Sequence, residues 1–246
     1  MTLPPEILDK ILEHIPANGD GRPTLIACAL VATWWTGPSQ RRLFSYVSIH
    51  GGNHQRWMSG VVLPGSKTHL LEYVRSLWHC RDAYTTIYQM QDLPQDSGKY
   101  LSALHNVHTL TLWNTKVEYV SEGGFSTYFS AFRETLTDLS LEIFTTSFST
   151  FVTLVDFFPN ITALQLHSLT LEPDEGPVPT LSRPLRGKAH LRDIPPEFFN
   201  RFAKLDLEYE ELVINSSRTE VSRLEGAFQI SANTVKFLRL TAAPQC

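Results

Sequence analysis

Cysteine is scarce in this chain. Cys28, Cys80 and Cys246 are the only three, and no two of them form a C-x-x-C pair. So few and so scattered, they do not build a disulfide framework, and their number fits a reducing compartment. Long apolar runs are also missing. The longest nearly apolar stretch, TLIACALVATWW at residues 24–35, falls short of the ~18–20 residues that a membrane helix needs. Ahead of it, Glu6, Asp9, Glu13 and Asp20 outnumber Lys10 and Arg22, the wrong sign for a signal peptide. Positive charge is not in excess either: 21 Lys and Arg stand against 25 Asp and Glu, a net charge of -4. Wrapping a nucleic-acid backbone takes clustered cations, which this balance does not supply. With 13 Gly and 15 Pro there is no linker-like or collagen-like bias. These absences exclude a disulfide-stapled mini-protein, a membrane protein and a strongly basic nucleic-acid binder. They predict a soluble chain of the cytoplasm or nucleus, with neither nucleic acid nor membrane as partner.

Catalytic and cofactor signatures are missing as well. There is no G-x-S-x-G elbow, P-loop, H-E-x-x-H or G-x-G-x-x-G. His50 and His54 lie close together in a Gly-rich stretch, and His105 and His108 flank Val107. Neither pair has the further Cys, Asp or Glu ligands that would close a metal site. His79 directly precedes Cys80, and neighbours on a strand face opposite ways, which separates a thiol from its base. The expectation is no cofactor, no metal and no catalysis by this chain. The sequons at Asn160 and Asn215, with no secretory signal ahead of them, are read as chance matches.

What is present begins with LPPEILDKILEHIP, residues 3–16. Pro4 and Pro5 suit a helix start, where a missing N–H costs no internal hydrogen bond. Ile7, Leu8, Ile11, Leu12 and Ile15 recur at helical spacing and build one apolar stripe. Pro16 and the ANGDG stretch end it. A second helix is predicted from Thr24 to Trp34 or Trp35. Being apolar on more than one face, it is expected to be buried on more than one side. Thr36-Gly-Pro-Ser is expected to break it, before a short third helix from about Pro38 to Leu43.

These residues resemble a known family. Leu3-Pro4-x-Glu6-Ile7-Leu8-x-x-Ile11-Leu12-x-x-Ile15, then Leu25-x-x-Cys28-x-Leu30-Val31-x-x-x-Trp35 and Leu43-Phe44, look like the two halves of an F-box over residues 1–45. The connecting loop ANGDGRP is longer than in a minimal F-box. Trp35, four residues after Val31, takes the family's tryptophan position, with Trp34 the alternative. The resemblance implies a three-helix module that docks a Skp-type adaptor, and through it a cullin scaffold. The matching positions are Leu3, Pro4, Ile7, Leu8, Ile11, Leu12, Val31 and Trp35, some of which must serve as core.

Beyond residue 45 a short signature recurs, apolar-x-x-apolar-x-apolar. It runs Phe44/Val47/Ile49, Val74/Leu77/His79, Val107/Leu110/Leu112, Leu136/Leu139/Leu141, Ile161/Leu164/Leu166, Phe202/Leu205/Leu207 and Val235/Leu238/Leu240. Helical spacing recurs between the instances, in residues 125–136, 147–158 and 197–203. The pattern resembles an irregular leucine-rich-repeat array. It implies an α/β fold over residues 46–246, a solenoid with a curved parallel sheet, and a Pro-rich loop excursion at 172–196. Alternation along each strand places Trp78, Thr111, Trp113, Glu142, Gln165, His167, Asp206, Glu208 and Arg239 on the concave face. An F-box ahead of such an array implies a substrate-receptor subunit of a ubiquitin ligase that holds an unknown target protein on the repeat surface. A non-catalytic scaffold, whose N-terminal helices only cap the solenoid, is the alternative.

Overall fold

Two apolar periods, 3.6 residues near the N-terminus and 2 residues beyond it, produce two packing units that meet at Phe44. The structure is a computed structural model. It describes residues 3–50, 53, 56–62, 67–80, 101–114, 129–174, 179–216 and 235–242. The N-terminal unit comprises α1 (Pro5–Glu13), α2 (Gly21–Val31) and α3 (Thr33–Phe44). Leu8 and Leu12 of α1 pack with Leu25 and Leu43 in a small core, which Trp35 and Phe44 flank. Arg42 ties α3 to the end of α1 by donating from Nε to the Ile15 carbonyl at 2.9 Å and from Nη2 to the Glu13 carbonyl at 3.0 Å. Those carbonyls lie beyond the last internal donors of α1, so a side chain serves them instead.

The helix boundaries differ from the predicted ones. The break falls at Ala32, which is extended (φ -157, ψ 154), and not at Thr36–Ser39. Thr36 bridges the break instead, its hydroxyl donating to the Ala29 carbonyl at 3.0 Å. Pro38 lies inside α3, where it removes one internal donor.

The larger unit is an α/β arrangement around an eight-stranded sheet. Its strands are β1 (Tyr46–His50), β2 (Ser76–Cys80), β3 (Thr109–Trp113), β4 (Asp138–Glu142), β6 (Ala163–His167), β8 (Leu185–Arg192), β9 (Leu207–Ser216) and β10 (Phe237–Ala242). They lie side by side in chain order and every pair is parallel. A second, two-stranded sheet pairs β5 (Thr145–Thr146) with β7 (Thr170–Leu171). Helices α4 (Phe148–Phe157) and α5 (Pro196–Phe202) follow β5 and β8, at the places where the sequence predicts helical spacing. Ser147 caps α4, its Oγ accepting from the Thr150 N–H at 3.1 Å. Of residues 125–136, 125–128 lie outside the described residues, Phe129 is helical and Ser130–Phe132 form a short 3-10 turn.

One register runs through the sheet. Val47, Leu77, Leu110, Leu139, Leu164, Ala189, Leu212 and Leu238 stand opposite one another in turn. The differences between those positions are 30, 33, 29, 25, 25, 23 and 26 residues. The rung two residues on holds Ile49, His79, Leu112, Leu141, Leu166, Leu191, Ile214 and Leu240. Most of these side chains enter the main core. Two predicted features are corrected here. Residues 185–192, inside the expected Pro-rich excursion, form β8 in the interior of the sheet. The Leu205/Leu207 signature is not a rung: Leu205 lies in a turn, Leu207 starts β9, and Leu212 and Ile214 hold the ladder positions.

Backbone hydrogen bonds repeat at both strand ends. At the starts, the Ser45 carbonyl accepts from Arg75 and Ser76, Arg75 from His108 and Thr109, His108 from Thr137 and Asp138, and Thr137 from Thr162 and Ala163. At the far ends, Asn114, Ile143, Ser168 and Asp193 all take positive φ, between 50° and 55°. Their N–H groups donate to the carbonyls of Glu142, His167, Arg192 and Asn215 on the next strand, at 2.8–3.1 Å. Asn114 suits this left-handed conformation, whereas a β-branched isoleucine at 143 is strained in it.

Phenylalanine dominates the inner side between β4 and β9. Phe151 and Phe198 meet edge to face at 5.2 Å, Phe198 stacks on Phe202 at 5.1 Å, and Phe202 stacks on Tyr209 at 6.2 Å. Burial pushes the Tyr209 phenol far up, and among the described residues its hydroxyl has no hydrogen-bond partner. Tyr209 stands opposite Gly187, at a register shift between β8 and β9. Gly187 has φ +89, and a Cβ there would lie 2.1 Å from the Thr162 carbonyl oxygen. Gly187→Ala is therefore expected to destabilise the chain by about 3 kcal/mol or more, read from urea unfolding. Ile143→Asn is expected to stabilise it by about 1 kcal/mol in the same assay, since asparagine relieves the left-handed strain.

Candidate functional site

The residues singled out by the sequence divide between two surfaces. On the helical unit, Leu8 and Leu12 are buried and hold the three helices together. Trp35 is half-buried beside that core, its ring 5.4 Å from that of Trp34. Leu3, Pro4, Ile7, Ile11 and Val31 are exposed. So are Ile26, Leu30 and Trp34, which the sequence reading did not place on the surface. Leu30 is 82% exposed and Val31 71%. The expectation that the second helix is buried on several sides is thereby overturned. Of its large apolar side chains only Leu25 is buried, because α2 packs chiefly against α3 and its other faces have no neighbouring element among the described residues. The signal was in the sequence: an apolar helix with so few residues around it has too little to bury against. Seven of the eleven exposed large apolar side chains among the described residues fall between Leu3 and Trp34, a concentration beyond the scattered singles of an ordinary surface.

The second surface is the side of the sheet opposite the core. One row across it runs Trp78, Thr111, Ser140, Gln165, His190, Val213 and Arg239. The next row includes Trp113, Glu142, His167, Arg192 and Asn215. Most of the predicted residues thus share one face, including Trp78, Thr111, Trp113, Glu142, Gln165, His167 and Arg239. The Trp78 and Trp113 rings lean on each other, with centroids 5.8 Å apart at 32°. Glu142 accepts from the Ser140 hydroxyl at 3.2 Å. Burial, and then the Glu142 carboxylate, push the phenol of Tyr46 up.

Asp206 and Glu208 are not in these rows, which is a correction. Asp206 precedes β9, and Glu208 sits at its start, ion-paired with Arg186 at 2.7 Å. Their expected places belong to Val213 and Asn215. The β8 residues Lys188, His190 and Arg192, missed with their strand, complete the surface. Lys188 pairs with Glu211 at 3.1 Å, and Asn215 donates to His190 Nε2 at 2.7 Å. Charges on this side are therefore largely met by neighbours, and the aromatic pair is its most distinctive feature. His54 lies outside the described residues. Among the described residues no group of three or more His, Cys, Asp or Glu converges, and no helix is long and apolar enough to cross a membrane.

No family model matches this sequence, and no curated protein matches it either.

The division between core and surface is directly measurable. Leu8→Ala is expected to cost about 2–5 kcal/mol of stability by leaving a cavity in the small core. Leu30→Ala is expected to change stability by less than about 0.5 kcal/mol. Urea unfolding of the two variants checks both.

Proposed function

We propose that this chain is the substrate-receptor subunit of a Skp–cullin–F-box ubiquitin ligase. In this reading the three N-terminal helices are an F-box, and the parallel sheet is one wall of an irregular leucine-rich-repeat solenoid. The observation that carries it is the exposed apolar surface of the helical unit. Ile7, Ile11, Ile26, Leu30, Val31 and Trp34 are exposed on a unit whose own core is complete without them. Burying such a surface against an adaptor gives a hydrophobic interface with a few large anchors. The solenoid part is supported by strands in chain order and by spacings that settle at 23–26 residues from β4 onward. Repeats of roughly 20–29 residues are usual for leucine-rich arrays. The outer side of the sheet, with Trp78 and Trp113, would hold the target. The chain would perform no covalent step, and its contribution to ubiquitin transfer would be proximity.

The scaffold alternative, with helices that merely cap the solenoid, requires no exposed apolar helical face, so the exposed residues weigh against it. Co-expression with a Skp-type adaptor separates the two. The wild-type chain is expected to capture the adaptor. A Leu30→Asp, Val31→Asp variant is expected to lose capture by tenfold or more while keeping its helical circular dichroism, since both side chains point to solvent in the free chain. A folded wild-type chain that captures no adaptor would overturn the receptor reading and leave the scaffold.

A further inference from the structure

A cleft of about 490 Å³ lies where the α1–α2 turn faces the outer edge of β1 and the short segment 56–62. Its volume falls within the ~300–1,000 Å³ typical of small-molecule sites. Phe44, Val47, Trp57 and Val61 give it an apolar lining. Arg22, in the first turn of α2, and Arg56 also line it. Both arginines are exposed, and among the described residues neither guanidinium forms a hydrogen bond or ion pair. Among the described residues no carboxylate lines the cleft, and the stretch 51–66 contains no acidic residue at all. In a chain of net charge -4, two cations at one concave place, with no carboxylate beside them among the described residues, form a local reversal of sign. The positive end of the α2 dipole adds to them. The Trp57 indole N–H is buried, and among the described residues it has no acceptor.

We infer that this cleft binds a small aromatic anion, its ring against Phe44 and Trp57 and its acidic group between Arg22 and Arg56. The anion is a phosphate or another oxyanion carried on a ring. A ring without charge leaves the guanidiniums unanswered, and a bare anion leaves the apolar lining unfilled. The inference stands apart from the adaptor reading and is tested on the free chain with no adaptor present.

Phenyl phosphate is the probe, titrated against the full chain while the Trp57 indole N–H resonance, assigned with Trp57→Phe, is followed by NMR. Saturable movement of that resonance is expected, with inorganic phosphate and phenol each binding at least tenfold more weakly than the whole probe. Arg22→Ala, Arg56→Ala is expected to weaken phenyl phosphate by about tenfold or more, as loss of charge-assisted hydrogen bonds does. The single variants and the paired Arg→Gln changes, checked for unchanged thermal unfolding, guard against a loss caused by misfolding. No saturation at millimolar probe, equal affinity for phenol, or undiminished binding by the folded double variant would each overturn the inference.

Discussion

Shared register is the constraint on which this structure depends. Eight parallel strands carry the same two positions on one face of the sheet, buried in most of them, and a slip of one residue would turn a row of leucines to the outside. The backbone fixes that register at both ends. At the start of each of the first strands, one carbonyl takes two N–H groups from the next. At the far end, a left-handed residue turns its N–H onto the carbonyl of the following strand. The second device explains why an isoleucine tolerates positive φ at position 143. Its backbone is dictated by the ladder on either side, between Asn114 and Ser168, and the side chain accepts the strain.

The inner side shows how the packing follows. Where the strands supply leucines, the connecting segments supply phenylalanines, and the rings from α4, α5 and β9 form a continuous stack ending on Tyr209. Packing this dense requires close backbone approach at one place, Gly187 against the Thr162 carbonyl. The helical unit has no such depth. Its core is four leucines, enough to set three short helices at fixed angles but not to cover α2. The same shortage of material that keeps that unit small is what leaves its apolar surface open.

The sequence made the architecture legible wherever burial was one-sided and regularly alternating. The L-x-L rungs of β1 to β4 and β6 stand where the pattern puts them, and so do α4 and α5. It failed where charge disguised a strand. In β8 only Leu185, Ala189 and Leu191 are fully buried, and Arg186, Lys188, His190 and Arg192 point outward. Read without structure, such a stretch between prolines looks like a loop. That one omission pushed the next rung onto Leu205/Leu207 and misplaced Asp206 and Glu208. The helical unit failed differently. Spacing alone groups Ile7 with Leu8 and Ile11 with Leu12, but it does not say which of each pair meets α3, and only the packing separates core from surface. The cleft beside β1 was not legible, because it joins Arg22 to Arg56 across two packing units.

The junction at Ser45 ties these parts together. Ser45 ends α3, and its carbonyl is also the first acceptor of the ladder that starts the strands. Phe44, the residue before it, packs against both cores. There is accordingly no slack between the helices and the first strand: the backbone bond and the shared ring act as a rigid bracket. On the receptor reading proposed above, the gap between adaptor and captured target would be set by the protein and not by a tether. Reach then becomes a selective property in itself. A lysine at the right height on the target would be modified, and an equally exposed one a few turns away would not.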